Sequence, residues 1–183
     1  MIRHYINQQL KDFNTDVFIR CLKIFSVVGL CIILYAFVFS GFQVVDEFEH
    51  LHAAWLISIG EIPYKDFFEH HHPLLWYLSA PIVGAFYDNA LIFYIMRGVS
   101  LLSSFLTLWY LFQIVLFWSD RKCAWFSIVL AIGNIITLYN IYQFRPDNFM
   151  NFAFLAGVYY LFSYLKNSDL KYLIFSFLGF TLS

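Results

Sequence analysis

Residues 24–42 read IFSVVGLCIILYAFVFSGF, with no charged side chain among them. A helix needs about 20 apolar residues to cross the hydrocarbon core of a bilayer. In lipid every backbone N–H and C=O must be satisfied within the segment, so this stretch is predicted to be a transmembrane helix. Arg3, Lys11, Arg20 and Lys23 precede it. A secretory signal would have a shorter apolar core and a small-residue cleavage site. The stretch has neither and reads as a retained anchor.

Outward from the anchor the same pattern recurs. Of the 183 residues, 61% are apolar and 13% are charged, against about half and about a quarter in soluble domains. The excess is gathered in blocks: 91–118, uncharged from 98 onward, then 123–142, 148–165 and a shorter one at 172–183. The net charge of −1 leaves no basic footprint for nucleic acid. Cys21, Cys31 and Cys123 lie in no spacing that suggests zinc or a redox pair, and read as small hydrophobes. The predicted fold is all-α. It is a single multi-pass domain over 1–183, a polytopic integral membrane protein with about four full transmembrane helices and a truncated fifth.

The run 73–87 (PLLWYLSAPIVGAFY) is too short to span and carries Pro81 in its middle, which suits an interfacial or re-entrant segment. With it left out, the loops 119–122 and 166–171 fall on the side of the basic N-terminus. Arg3, Lys11, Arg20, Lys23, Arg121, Lys122, Lys166 and Lys171 then all face the cytoplasm. Residues 43–90 become one long extracytoplasmic loop, at the plasma or inner membrane if the source is bacterial. That loop holds Asp46, Glu47, Glu49, Glu61, Asp66, Glu69 and Asp88, with His50, His52, His70, His71 and His72. It is rich in aromatic residues, so helices lying on the membrane surface are expected in place of a solvated linker.

Within the loop, DEFEHLH at 46–52 sets two carboxylates at a helix start, where the dipole favours them. Asp46 and His50 are four apart and share a face. Gly60 offers a C-terminal stop and Pro63 prevents continuation. Two readings stand open: Asp46 as N-cap with Glu49 as its capping-box partner, or a catalytic carboxylate. His50, His52 and His70 are candidate ligands for a divalent metal, although consecutive histidines point in different directions. Arg97, at the outer start of the second span, either snorkels to headgroups or binds a phosphate. Arg145 either pairs with Asp147 or does the same.

These motifs come in an order that resembles a known family. D46-E47 stands at the outer end of the first helix. An A-x5-G-x2-P-Y-x-D-F segment follows over 54–67, then F-E-H-H-H-P-L-L-W-Y over 68–77, Arg97 in the second span, and R-P-D at 145–147. Over roughly 24–165 the chain is similar to the start of the GT-C membrane glycosyltransferases, family 39-like. The branch is that of protein O-mannosyltransferases and the bacterial lipid A aminoarabinose transferase. The resemblance implies transfer of a sugar from a polyprenyl-phosphate carrier to a lipid, protein or glycan acceptor at the outer membrane face. It implies Asp46 as base with Glu47 as its acidic neighbour, and His71, His72, Arg97, Arg145 and Asp147 toward substrate and carrier phosphate. His72 stands where the family pattern has a proline. It also implies a longer chain, of which this is the N-terminal part and inactive by itself. The alternatives are a non-catalytic multi-pass subunit and a metal-handling transporter that uses the histidine-rich loop.

Overall fold

The computed structural model describes residues 2–39 and 45–183. Ser40 to Phe42 of the anchor and Gln43 and Val44 of the outer loop lie outside the described residues. The described chain is all-helical: α1 (Ile2–Phe39), α2 (Val45–Ser58), α3 (Leu74–Phe86), α4 (Leu91–Trp118), α5 (Arg121–Gly133), α6 (Ile135–Asn140), α7 (Pro146–Asn167) and α8 (Leu170–Leu182).

Local chemistry sets the boundaries. Asp120 caps α5 by accepting from the amides of Lys122 and Cys123, each at 3.0 Å. Asp169 caps α8 through the Lys171 amide at 3.1 Å. Pro146 occupies the first turn of α7, where its missing N–H is harmless. Gly60, at φ 100°, follows the end of α2 in a conformation that favours glycine.

One expected element is different. The block 123–142, read as one span, is two helices. Asn134 leaves helical geometry at ψ 120° and turns its side chain to cap α6, accepting from the Ile136 amide at 2.9 Å. Asparagine competes with the helix for backbone partners, and here it wins. Among the described residues one helix, α4, is long and apolar enough to cross a membrane; α3 and α8 are shorter apolar helices. At 13 residues, α3 is only about 20 Å long.

Two clusters form the interior. Leu51, Ala54, Trp76, Val83, Met96 and Phe144 close the space between α2, α3 and the start of α4. Ile33, Leu101, Ile128, Ile132 and Tyr142 join α1, α4, α5 and the α6 end. α7 and α8 approach backbone to backbone. A Cβ on Gly179 would stand 2.6 Å from the Cα and N of Gly157, the close contact that small residues permit between apolar helices. Trp118 meets Phe162 at 5.6 Å and Lys166 lies over Phe117 at 5.7 Å, so the α4–α5 and α7–α8 turns share one end. The start of α2, the start of α4 and the start of α7 share the other, and the candidate site is there.

Candidate functional site

α2 begins one residue before Asp46, which places Asp46 and Glu47 in its first turn. The buried positions Glu47, His50, Leu51 and Ala54 form one helical face, three and four residues apart. Glu47 is therefore carried inward by the same periodicity that carries Leu51. Inside, it meets Arg97 of α4. The guanidinium donates from Nε to Oε1 at 2.8 Å and from Nη2 to Oε2 at 2.6 Å. The Phe144 amide donates to Oε1 at 3.2 Å, and the Tyr142 ring covers the guanidinium at 5.3 Å. Arg97 is 0% exposed and Glu47 is 1% exposed. The expectation that Arg97 snorkels or meets a phosphate is corrected here: a buried carboxylate holds it at bidentate geometry. Glu47, expected as the acidic neighbour of the base, is equally buried and is held by Arg97 and the Phe144 amide.

Asp46 stays at the surface. Arg145 reaches it across the site, Nη1 to Oδ2 at 2.8 Å, and Nη2 reaches Asp147 Oδ2 at 3.2 Å. The residue before a proline is driven to extended geometry. Arg145, before Pro146, is at φ −136° and ψ 147°, and this turns its side chain back over the start of α2. Among the described residues its buried Nε has no hydrogen-bond partner. Asp46 is thus a partner of Arg145, not an N-cap with Glu49 beside it.

The turn that presents Arg145 is fastened by residues the sequence analysis did not single out. Asn148 Nδ2 donates to the carbonyls of Asn140 and Gln143 at 3.0 and 2.9 Å. Ser103 and Ser104 of α4 donate to the carbonyls of Asn148 and Ile141 at 3.0 and 2.8 Å. The signal available was polar side chains at helical spacing inside apolar blocks.

The P-Y-K-D-F segment is a closed turn. Asp66 Oδ2 accepts from the Ile62 amide at 2.9 Å and the Tyr64 amide donates to the Phe67 carbonyl at 2.8 Å. Tyr64, at φ 65°, donates its hydroxyl to the His71 carbonyl at 2.5 Å. The chain bends at His70 and His71, which brings their rings to 3.9 Å. The expectation that neighbouring histidines diverge holds for regular strands and helices, and this bend is neither. Both Nδ1 atoms face the carboxylates of Glu69 and Glu49. These four residues place their donor atoms within 4.8 Å of one another and could hold a metal ion. His71, expected toward a phosphate, belongs to this group. The ligands expected at His50 and His52 do not. His50 accepts from Trp76 Nε1 at Nδ1, 3.2 Å, in the interior. His52 is exposed and stacks on Trp55 at 5.5 Å.

Charge follows from this geometry. The hydrogen bond to Glu69, with burial and the like charge, raises the pKa of Glu49. Burial alone would raise Glu69 too, but the bonds from the His70 amide, Glu49 and His71 outweigh it and lower the pKa. Burial and the nearby His71 bring His50 down to about 4. The charges of His71, Glu69, Asp46 and Arg145 all act on His50.

His72 is exposed at the rim of an apolar cavity of about 360 Å³ between α3, α7 and the end of α8. Comparison with protein-family models, with curated proteins and with solved structures gives no match.

Proposed function

We infer that the chain is part of a multi-pass membrane glycosyltransferase that moves a sugar from a polyprenyl-phosphate carrier to a lipid, protein or glycan acceptor. The observation that carries this reading is the accessible Asp46–Arg145 pair at 2.8 Å, set at one end of the helices. The acceptor O–H or N–H must lose a proton as it attacks the sugar. Asp46 takes that proton. The bond from the sugar carbon to the phosphate oxygen breaks, and the phosphate leaves with both electrons. Arg145 meets that charge. A phosphate arriving at Arg145 competes with Asp46 for the guanidinium and frees the carboxylate to act as base. Asp147 keeps hold of Arg145 during the exchange. The cavity lined by Leu75, Leu78, Phe149 and Met150 gives the carrier tail an apolar path beside His72.

The membrane reading is supported by the surface of the helices. Ile24, Phe25, Val27, Val28 and Ile32 of α1 are about half exposed or more, a patch that water would penalise and lipid accepts. The basic turns at 119–122 and 166–171 face the cytoplasm in this reading, with the N-terminus, and the Asp46 end faces out.

The test is transfer by the full chain in its membrane. Asp46→Asn lowers transfer by at least about 100-fold while insertion and expression are unchanged. Retained transfer would remove Asp46 from the role of base. The group of Glu49, Glu69, His70 and His71 favours a second reading, a metal-handling membrane protein. In that case metal transport, and not sugar transfer, responds to Glu49→Gln.

A further inference from the structure

We propose that Glu49, Glu69, His70 and His71 form a closed four-ligand site for a zinc-type divalent ion, which clips α2 to the segment that leads into α3. The spacing carries the proposal. A tetrahedral ion bound at about 2.0–2.1 Å needs donor atoms about 3.3 Å apart. Glu69 Oε1 lies 2.8 Å from His70 Nδ1 and 3.2 Å from His71 Nδ1. Glu49 Oε1 lies 3.8 Å from His70 Nδ1 and 3.7 Å from His71 Nδ1. These four edges bracket the tetrahedral value, and the remaining two are within 4.8 Å. The bend at 70–71 is what turns two successive imidazoles onto one point.

The donor set selects the ion. Two imidazole nitrogens with two carboxylates suit zinc and its neighbours among the transition metals, whereas magnesium and calcium require oxygen ligands. Four protein ligands leave no open position, which marks a structural site and not a catalytic one. The surroundings are built to hold it. Tyr64 fixes the His71 carbonyl, and buried His50 packs edge-on against the His71 ring at 4.7 Å. Glu49 lies one turn beyond Asp46 on α2, so the ion would fix the helix that carries Asp46. The site stands without the transfer reading, because binding is measured with no sugar present.

The test uses the full chain, stripped with chelator in detergent and titrated with zinc chloride and with cobalt chloride. One equivalent of zinc binds and raises the unfolding temperature. Cobalt gives the intense visible bands of a tetrahedral ion, and millimolar magnesium does not compete. Glu49→Gln and His71→Ala each weaken zinc binding by at least about 10-fold. His52→Ala leaves it unchanged. Asp46→Asn also leaves it unchanged, so a failed transfer assay and a failed metal assay are told apart. Sub-stoichiometric binding, an octahedral cobalt spectrum in the unmutated chain, or full affinity after Glu49→Gln would each overturn the proposal. The spectrum of the unmutated chain serves even if a variant does not fold.

Discussion

The buried pair Glu47–Arg97 makes an asymmetric prediction. Arg97→Met removes the guanidinium and strands a carboxylate that is 1% exposed, with the Phe144 amide beside it. Breaking a buried pair from one side costs about 3–5 kcal/mol. Glu47→Gln takes the carboxylate from a buried guanidinium that has no neutral form at any accessible pH, and its cost is of the same order. The asymmetry lies between breaking the pair and removing it: the double change Glu47→Leu with Arg97→Met removes both charges and recovers most of the stability. Denaturant titration of the detergent-solubilised protein at pH 7, followed by tryptophan fluorescence, reads all three. A single change that costs less than about 1 kcal/mol, or a double change as damaging as either single one, would refute the reasoning.

Other predictions concern the surface pair, the helix contact and the buried histidine. Arg145→Ala changes stability by less than about 1 kcal/mol, since its pairs are partly exposed, but abolishes transfer; an unfolded variant in the same titration would contradict this. Gly179→Leu forces a side chain into the Gly157 backbone and lowers stability by about 1–3 kcal/mol, while Gly98→Leu, where no atom of the described residues lies within 4 Å of the added carbon, is the neutral control. His50, held down at about 4 from 6.5, is a group whose unfolded form binds the proton more tightly. In chelator-treated protein its contribution is fully present above pH 6.5 and is lost as pH falls from 6.5 toward 4, by up to about 3 kcal/mol. His50→Asn removes that limb of the stability profile.

Sequence periodicity was enough for α4 and most of α7, because hydropathy depends on neighbours within a few turns; the shared face read for Asp46 and His50 is instead that of Glu47 and His50, with Asp46 left at the rim. The 91–118 block coincides with α4, and 148–165 lies inside α7. Asn134 was hidden by its setting, an uncharged asparagine between Gly133 and Ile135 in a run of apolar residues. Its capping bond decides the helix break, and hydropathy does not register a bond. The alignment of Glu47 with Arg97 was illegible for another reason. The two are 50 residues apart, and their meeting depends on how α2 lies across the start of α4. Arg145 looked paired with Asp147, its neighbour in sequence, and so it is. The partner that the proposed transfer uses, Asp46, lies 99 residues earlier (145 − 46) and has no local signature. The histidine triplet was misleading because direction along a chain was inferred from regular geometry, and the bend at 70–71 departs from it.

Asp46 and Glu47 are neighbours on one helix, each bound to its own arginine, yet the two pairs are suited to opposite tasks. Successive residues on an α-helix are about 100° apart, so one carboxylate is carried into the interior while the other remains at the rim. Low dielectric makes the inner pair strong and leaves it nothing to exchange with. The outer pair, with Arg145 27% and Asp46 43% exposed, is weak because water competes for both partners. In the proposed transfer, that weakness would let a phosphate take the guanidinium. The two pairs are also in register. Glu47 Oε1 accepts from the amide of Phe144, and Arg145 is the next residue, so the buried pair sets the backbone from which the exposed arginine projects. A change at Arg97 should therefore reach Asp46 without touching it, through α2 on one side and residues 144–145 on the other. Transfer would then fall in Arg97 variants by more than the folded fraction falls.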